Sequence, residues 1–182
     1  MKKETYVRSL KKKIVREFLF SFFNEKSIIG LAGPDINDYV EWCKEKGYEN
    51  LQLWENDSNV MLNQFKSLKT ESTFEYKYGN ILNAEPNKRD TLYDLDYCGT
   101  IKTLYDHVKK FKEGKFVMTF CMRGSTKNQS IESFFKNRNE SIRTRFEKTE
   151  PLDHVVIGTD FGKYILATYR DGSPMLCIAK IK

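Results

Sequence analysis

Apolar positions along this chain fall first with a helical period and then in short runs broken by turn residues. Tyr6, Val7, Leu10, Ile14, Val15, Phe18, Leu19, Phe22 and Phe23 recur at helical spacing and predict an amphipathic first helix. Residues 27–32 then read as a short buried strand that ends in the loop Gly33-Pro34-Asp35. A helix follows over 36–46 and stops at Gly47, where a C-terminal glycine belongs. Residues 50–55 form a second strand, and Asn56, Asp57 and Ser58 supply helix-start chemistry for a helix through Leu68. Residues 74–78 alternate with period two, as a third strand does, and end at Gly79-Asn80.

The second half continues the alternation and then breaks it. A polar loop around Pro86-Asn87-Lys88 leads to a fourth strand that opens with Thr91-Leu92-Tyr93. Residues 101–111 are predicted helical and closed by Gly114, residues 115–121 form a fifth strand, and 125–146 a long basic helix. Past Pro151 the pattern is strands without intervening helices. Residues 163–169 and 175–181 flank Arg170-Asp171-Gly172-Ser173-Pro174, a hairpin signal, and residues 154–158 suit a further strand. Alternating strands and helices imply an α/β fold: a mostly parallel sheet covered on both faces, closed by an antiparallel hairpin. With 182 residues and no internal boundary, the expectation is one domain, led by a basic amphipathic helix over residues 1–26.

Composition narrows the classes. A 40% hydrophobic and 14% aromatic content fits a folded globular chain and excludes disorder. Cys43, Cys98, Cys121 and Cys177 are too far apart for a CxxC pair and read as reduced thiols. His107 and His154 lack Cys or Asp partners at ligand spacing, so no metal is expected. Arg16 and Glu17 interrupt the apolar run ahead of Phe18, which breaks a signal-peptide core, and no run approaches a membrane span. A soluble, cytoplasmic protein without membrane contact is the expectation; oligomeric state is not legible.

The net charge of +6 is unevenly spread. Residues 31–60 are acidic, whereas Lys2, Lys3, Arg8, Lys11, Lys12, Lys13 and Arg16 crowd the start. A second basic block contains Arg123, Lys127, Lys136, Arg138, Arg143, Arg145 and Lys148. Such patches suit a polyanion such as nucleic acid; a solvated helix face is the competing reading.

Candidate chemistry gathers at strand ends. Asp94-Leu95-Asp96-Tyr97-Cys98-Gly99 places two carboxylates, an aromatic and a glycine on a hydrophobic strand. Unpartnered acids there are costly to desolvate, so the strand is expected to run out into a cleft. Asp94 or Asp96 can accept a hydrogen bond from an acceptor amine, and Tyr97 can stack on an extruded base. Alternatively, Asp94 contacts a cofactor, Asp96 caps a helix and Tyr97 packs in the core. The first strand's glycine turn admits a ligand to the backbone, and Glu55, at the second strand's end, can hold ribose hydroxyls. Arg123 leaves the fifth strand on the acceptor side. Pro34-Asp35 sets a negative charge where a pyrophosphate would lie, which favours a zwitterionic or cationic ligand over a dinucleotide.

On these residues, the chain over 27–182 resembles the class I S-adenosylmethionine-dependent methyltransferases, with the first helix as a variable addition. The resemblance implies a Rossmann-like, seven-stranded sheet and S-adenosylmethionine as cofactor. It makes Gly30, Leu31 and Gly33 the glycine loop, and Glu55 with Asn56 the ribose contact. Asn80 would meet the adenine amine, and Ile81 would lie along the adenine face. Asp94 to Tyr97 falls where nucleic-acid amino-methyltransferases carry an Asp-Pro-Pro-Tyr type motif, and also resembles the matching segment of tRNA guanine dimethyltransferases. Asp94, Asp96 and Tyr97 would then be catalytic, with Asp94 also at the cofactor and Arg123, Arg143 and Arg145 holding nucleic-acid substrate. The third glycine and both prolines of the family patterns are absent here. A non-catalytic protein of this fold, binding S-adenosylmethionine or nucleic acid in a regulatory role, is the competing class. A nicotinamide oxidoreductase is disfavoured by the glycine spacing and the terminal hairpin.

Overall fold

The computed structural model describes residues 10–31, 33, 36–69, 73–85, 90–100, 114–121, 145–149, 152–157, 164–171 and 173–181. Of Leu82 and of residues 97–100, 145–149, 152–157, 170, 171, 173 and 174 only the backbone is described. Helix α1 spans Leu10–Phe20, α2 Ile36–Glu45 and α3 Ser58–Ser67. The strands are β1 Ser27–Gly30, β2 Asn50–Glu55, β3 Glu75–Tyr78, β4 Thr91–Thr100, β5 Lys115–Cys121, β6 Arg145–Thr149, β7 Leu152–Ile157, β8 Tyr164–Asp171 and β9 Ser173–Lys180. The helix expected over 101–111 and residues 125–144 of the basic helix lie outside the described residues.

One sheet carries all nine strands in the order β3-β2-β1-β4-β5-β9-β8-β7-β6. Strands β1 to β5 pair in parallel, β9 enters antiparallel beside β5, and β8 pairs antiparallel with β9. These seven strands form the mostly parallel, hairpin-terminated sheet the alternation implies. Two more extend it. Strand β7 realises the further strand expected at 154–158, and β6 pairs with it antiparallel. The basic helix was expected to reach Phe146, but residues 145–149 are extended. Arg145-Phe146-Glu147-Lys148-Thr149 holds a single apolar residue and no clear period before Pro151, and tertiary pairing with β7 decides the outcome.

Side chains alternate across the pleat and divide the core. One face joins Val15, Leu19, Phe20, Ile36, Val40 and Cys43 of the helices to Ile28, Leu53, Leu92 and Val117. The opposite face gathers Ile29, Trp54, Tyr93, Leu95, Phe116 and Ile178, with Ile81 and Ala84 from the segment after β3. Asp94 shares its face with Leu92 and therefore points at α1 and α2. Strand β1 leads to β2 on one side but has β4 on the other, so the topological switch lies between β1 and β4. The crevice at such a switch is where open α/β sheets receive ligands.

Cys43 and Cys177 are buried reduced thiols, and the Thr119 hydroxyl lies 3.3 Å from the Cys177 sulfur across the β5–β9 pair. Burial pushes the Cys177 thiol up to about 12, against the opposing effect of the Thr119 contact. Both thiols should resist an aromatic disulfide reagent at pH 8 and react only with denaturant present. Mapping the labelled peptides checks this, and labelling of native Cys177 would contradict its placement inside the sheet.

Candidate active site

The two acids of β4 meet two cations of α1. Arg16 donates to Asp94 through both terminal nitrogens, at 3.1 Å to Oδ1 and 2.5 Å to Oδ2. Lys12 stands 2.6 Å from Asp96, and Arg16 reaches the same carboxylate at 4.0 Å. The match follows from element geometry. Residues one turn apart on a helix are separated by about 6 Å, and alternate residues on a strand by about 6.6 Å. Lys12 pairs with the acid farther along β4, so α1 runs opposite to β4 and its N-terminal turn lies at the strand's C-terminal end.

The inner pair is closed off from water. Asp94 is 1% exposed, and the Tyr39 hydroxyl of α2 donates to its Oδ2 at 2.6 Å. The guanidinium carbon lies 4.8 Å from the centre of the Trp42 ring, 4.9 Å from Phe20 and 5.8 Å from Tyr39, a cation–π cage. Burial alone would lower the Arg16 pKa, but the charge and hydrogen bonds of Asp94 outweigh it and hold it well above its ordinary value. Burial and the Asp94 charge together push the Tyr39 phenol well above its usual range, so it remains a donor. Trp42 donates to Glu17 at 2.9 Å, and Lys46 pairs with the same carboxylate, fastening α1 to α2 a second time.

This arrangement explains the first glycine. A Cβ on Gly30 would lie 2.2 Å from the Tyr39 hydroxyl and 3.2 Å from the Asp94 Cβ. Gly30 therefore admits the phenol that completes the Asp94 shell. Gly33 has φ +61°, the left-handed conformation that glycine adopts without strain. Its carbonyl accepts from the Gln64 amide of α3, and the Tyr76 hydroxyl donates to the other end of that amide. Gln64 is the buried residue of α3, so a polar side chain, rather than an apolar one, fixes that helix against the glycine turn. Leu31, between the two glycines, is half-buried against the core face of Trp54 and Ile81.

Glu55 ends β2, opposite Tyr78. Its Oε1 accepts from the backbone N–H groups of Asn56 and Asp57, both at 2.9 Å, and Asp57 caps α3. Burial and the Glu55 charge push the Tyr76 phenol up to about 12. Asn56 and Asn80 are exposed, and the Asn80 carbonyl accepts from the Asn83 N–H at 2.8 Å. Ile81 is fully buried with Trp54 and Ala84.

The acidic motif does not end its strand, as the sequence led one to expect. Strand β1 stops at Gly30, opposite Asp94, whereas β4 continues to Thr100. The stretch from Leu95 onward thus overhangs the end of β1 and forms one wall of the crevice. Within it, pairing with β5 slips: Asp96 faces Thr119 but Thr100 faces Cys121, so Tyr97-Cys98-Gly99 contains a bulge. Bulges of this kind redirect the chain beside active sites.

Gly30, Leu31, Gly33, Glu55, Asn56, Asn80, Asp94, Asp96 and the backbone of Tyr97 all come to one edge of the sheet. Arg145 does not. It starts β6, five strands from β4, which is about 24 Å at the usual strand spacing. Arg123 and Arg143 lie outside the described residues. Tyr39, Trp42 and Gln64 escaped the sequence reading, and Lys12 and Arg16 entered it only as part of the basic start of the chain, although one signal for their role was present. Lys12 and Arg16 fall on the same helical stripe as Leu19 and Phe23, and cations on an apolar stripe require buried acids opposite. Among the described residues no group of three or more His, Cys, Asp or Glu could hold a metal, and no helix is long and apolar enough to cross a membrane.

Solved structures with this architecture include a named methylase and a complex with AdoMet. An rRNA methylase from Streptococcus thermophilus superposes with a TM-score of 0.54 at 11% identity, covering 97% of this chain and 99% of that one. TYW2 from M. jannaschii, solved in complex with AdoMet, gives 0.54 at 11% identity over 97% of this chain and 78% of its own. No family model matches the sequence, and no curated protein matches it significantly. The chain has the class I methyltransferase fold, Rossmann-like, with its hairpin-terminated sheet lengthened by β6 and β7.

Arg16→Met and Asp94→Leu should each lower stability by about 3 kcal/mol, because either leaves a buried charge alone. The double variant should lose clearly less than the sum of the two, as denaturant unfolding will show; strict additivity would contradict the pair. Gly30→Ala should cost about 2 kcal/mol through overpacking. Adding Tyr39→Phe, which removes the clashing oxygen, should recover part of that loss.

Proposed function

We propose that this protein is an S-adenosylmethionine-dependent methyltransferase acting on a nucleic-acid base. The observation that carries the reading is the crevice at the β1–β4 switch, with the Gly30–Gly33 turn beneath it, Glu55 on one side and the β4 overhang on the other. The known structures of this fold include an rRNA methylase and an AdoMet complex, which supports both the cofactor and the substrate class.

The residues suit that cofactor. The left-handed turn at Gly33 brings backbone close to a ligand without a side chain between them. Glu55 holds its own loop with Oε1 and offers Oε2 to a ribose hydroxyl, with Asn56 beside it and Asn80 at the neighbouring strand end for the adenine amine. Half-buried Leu31 supplies apolar packing beneath the ligand, whereas Ile81 is sealed in the core and supports that packing from below. S-adenosylmethionine supplies an electrophilic sulfonium methyl when bound.

The chain's contribution is alignment and proton handling. Holding the acceptor amine in line with the methyl is mainly a proximity effect. An amine methylated here would have to shed a proton, which a carboxylate hydrogen-bonded to it can draw off. We assign that hydrogen bond to Asp96, the outer and less buried acid, and base stacking to Tyr97. Asp94, committed to Arg16 and Tyr39, acts on the site by holding β4 and Gly30 in place, not by touching the acceptor. Arg123 and Arg143 remain candidate phosphate contacts. A non-catalytic, ligand-binding role is the second reading, favoured by the pairing of both β4 acids with α1 cations.

Calorimetry should give one-site binding of S-adenosylmethionine and S-adenosylhomocysteine and no heat with NAD. Glu55→Ala should weaken binding about tenfold, as loss of a charged hydrogen bond does. Absence of binding by both sulfur compounds would sink the proposal. Labelled methyl transfer to mixed RNA and DNA should fall about a hundredfold in Asp96→Asn; cofactor binding without any transfer supports the non-catalytic reading.

A further inference from the structure

The two ion pairs between α1 and β4 fix which end of the basic N-terminal segment meets the crevice. Lys12 lies on Asp96 and Arg16 on Asp94, so α1 descends from the crevice rim towards the far end of the sheet. Its first turn, Leu10 to Lys13, therefore stands at the acceptor side of β4. Lys12 and Arg16 are turned inward on their acids, whereas Lys11 and Lys13 are exposed on that same turn. Across the crevice the charge has the opposite sign, with Glu55 and Asp57 at the end of β2. Among the described residues, the exposed charges at the rim are thus cationic on the α1 side and acidic on the β2 side.

We propose that the first turn of α1 is the substrate-docking surface, with Lys11 and Lys13 binding the phosphodiester backbone of a single-stranded nucleic acid whose base enters beside Asp96. The inference rests on the acceptor reading of Asp96 given above. Charge complementarity decides the occupant: a polyanion is drawn to the α1 side and repelled from the acidic side. The docking surface is then contributed by the N-terminal helix and not by Arg145, which stands at the far edge of the sheet. Its place on a helix anchored by a buried pair keeps the two lysines in fixed register with Asp96.

The test measures binding of labelled single-stranded RNA and DNA of one sequence as a function of salt, using the full chain. Two variants are compared: Lys11→Gln with Lys13→Gln, and Lys26→Gln with Lys44→Gln. The second pair is also exposed but lies at the opposite end of the sheet, before β1 and in the last turn of α2. Losing Lys11 and Lys13 should weaken binding about tenfold at 0.1 M salt and reduce the salt slope by about 1.4, at roughly 0.7 per phosphate contact. The Lys26 and Lys44 variant should bind as the unaltered chain does. Equal losses in both variants, no loss in the first, or no binding by the unaltered chain would each overturn the proposal. Comparing the RNA and DNA arms shows which backbone is taken. S-adenosylhomocysteine binding, measured in parallel, separates the two claims. If it is absent while the Lys11 and Lys13 effect persists, the methyltransferase reading fails, the substrate-docking role falls with it, and only a nucleic-acid-binding surface on α1 remains; the reverse result removes only the docking surface.

Discussion

The buried pair between Arg16 and Asp94 is the constraint around which the rest of the site is arranged. An ionised carboxylate on a central strand is tolerated only with a partner brought to it. Here the partner comes from a helix 78 residues upstream and is held in place by Trp42, Phe20 and Tyr39. The Tyr39 hydroxyl that completes the shell occupies the space where Gly30 lacks a side chain. One interaction therefore ties α1, α2, β1 and β4 together directly below the crevice. The first helix is consequently an integral part of the site rather than an ornament on the fold.

That arrangement divides the work of the two acids. Asp94 faces inward and is sealed, whereas Asp96, one pleat farther out, lies beside the overhanging and bulged part of β4. The glycine turn is organised from the other flank, where Gln64 bridges the Gly33 carbonyl and the Tyr76 hydroxyl. Polar side chains in buried positions thus fix both walls of the crevice. Such networks hold a geometry well when every member is satisfied. A ligand entering above Gly33 meets a preformed frame, which reduces the ordering it must impose on binding.

Much of this fold was legible because helix and strand periods differ and turn residues punctuate them. Strands β1 to β5, the terminal hairpin and the helices after β1 and β2 all follow from that contrast. The end of the basic helix was not legible, since Arg145-Phe146-Glu147-Lys148-Thr149 carries no strong local preference and is made a strand by pairing with β7. The acidic motif was noticed as chemistry, but its partners were hidden by sequence distance: 78 residues separate Arg16 from Asp94. Arg16 and Glu17 looked like interruptions of an apolar run. Their side chains point at different neighbours, Asp94 for one and Trp42 with Lys46 for the other. Gly30 was read as room for a ligand, and the structure shows that Tyr39 uses that room first.

The central claim is that a nucleoside ligand sits on the Gly30–Gly33 turn while the Arg16–Asp94 pair remains closed beneath it. A crystal structure with S-adenosylhomocysteine tests this most directly. The account predicts the ribose hydroxyls at Glu55, the sulfur facing the β4 overhang near Asp96, and Arg16 still bidentate on Asp94. Ligand density elsewhere on the sheet, or an Asp94 freed from Arg16 to bind the ligand itself, would contradict it.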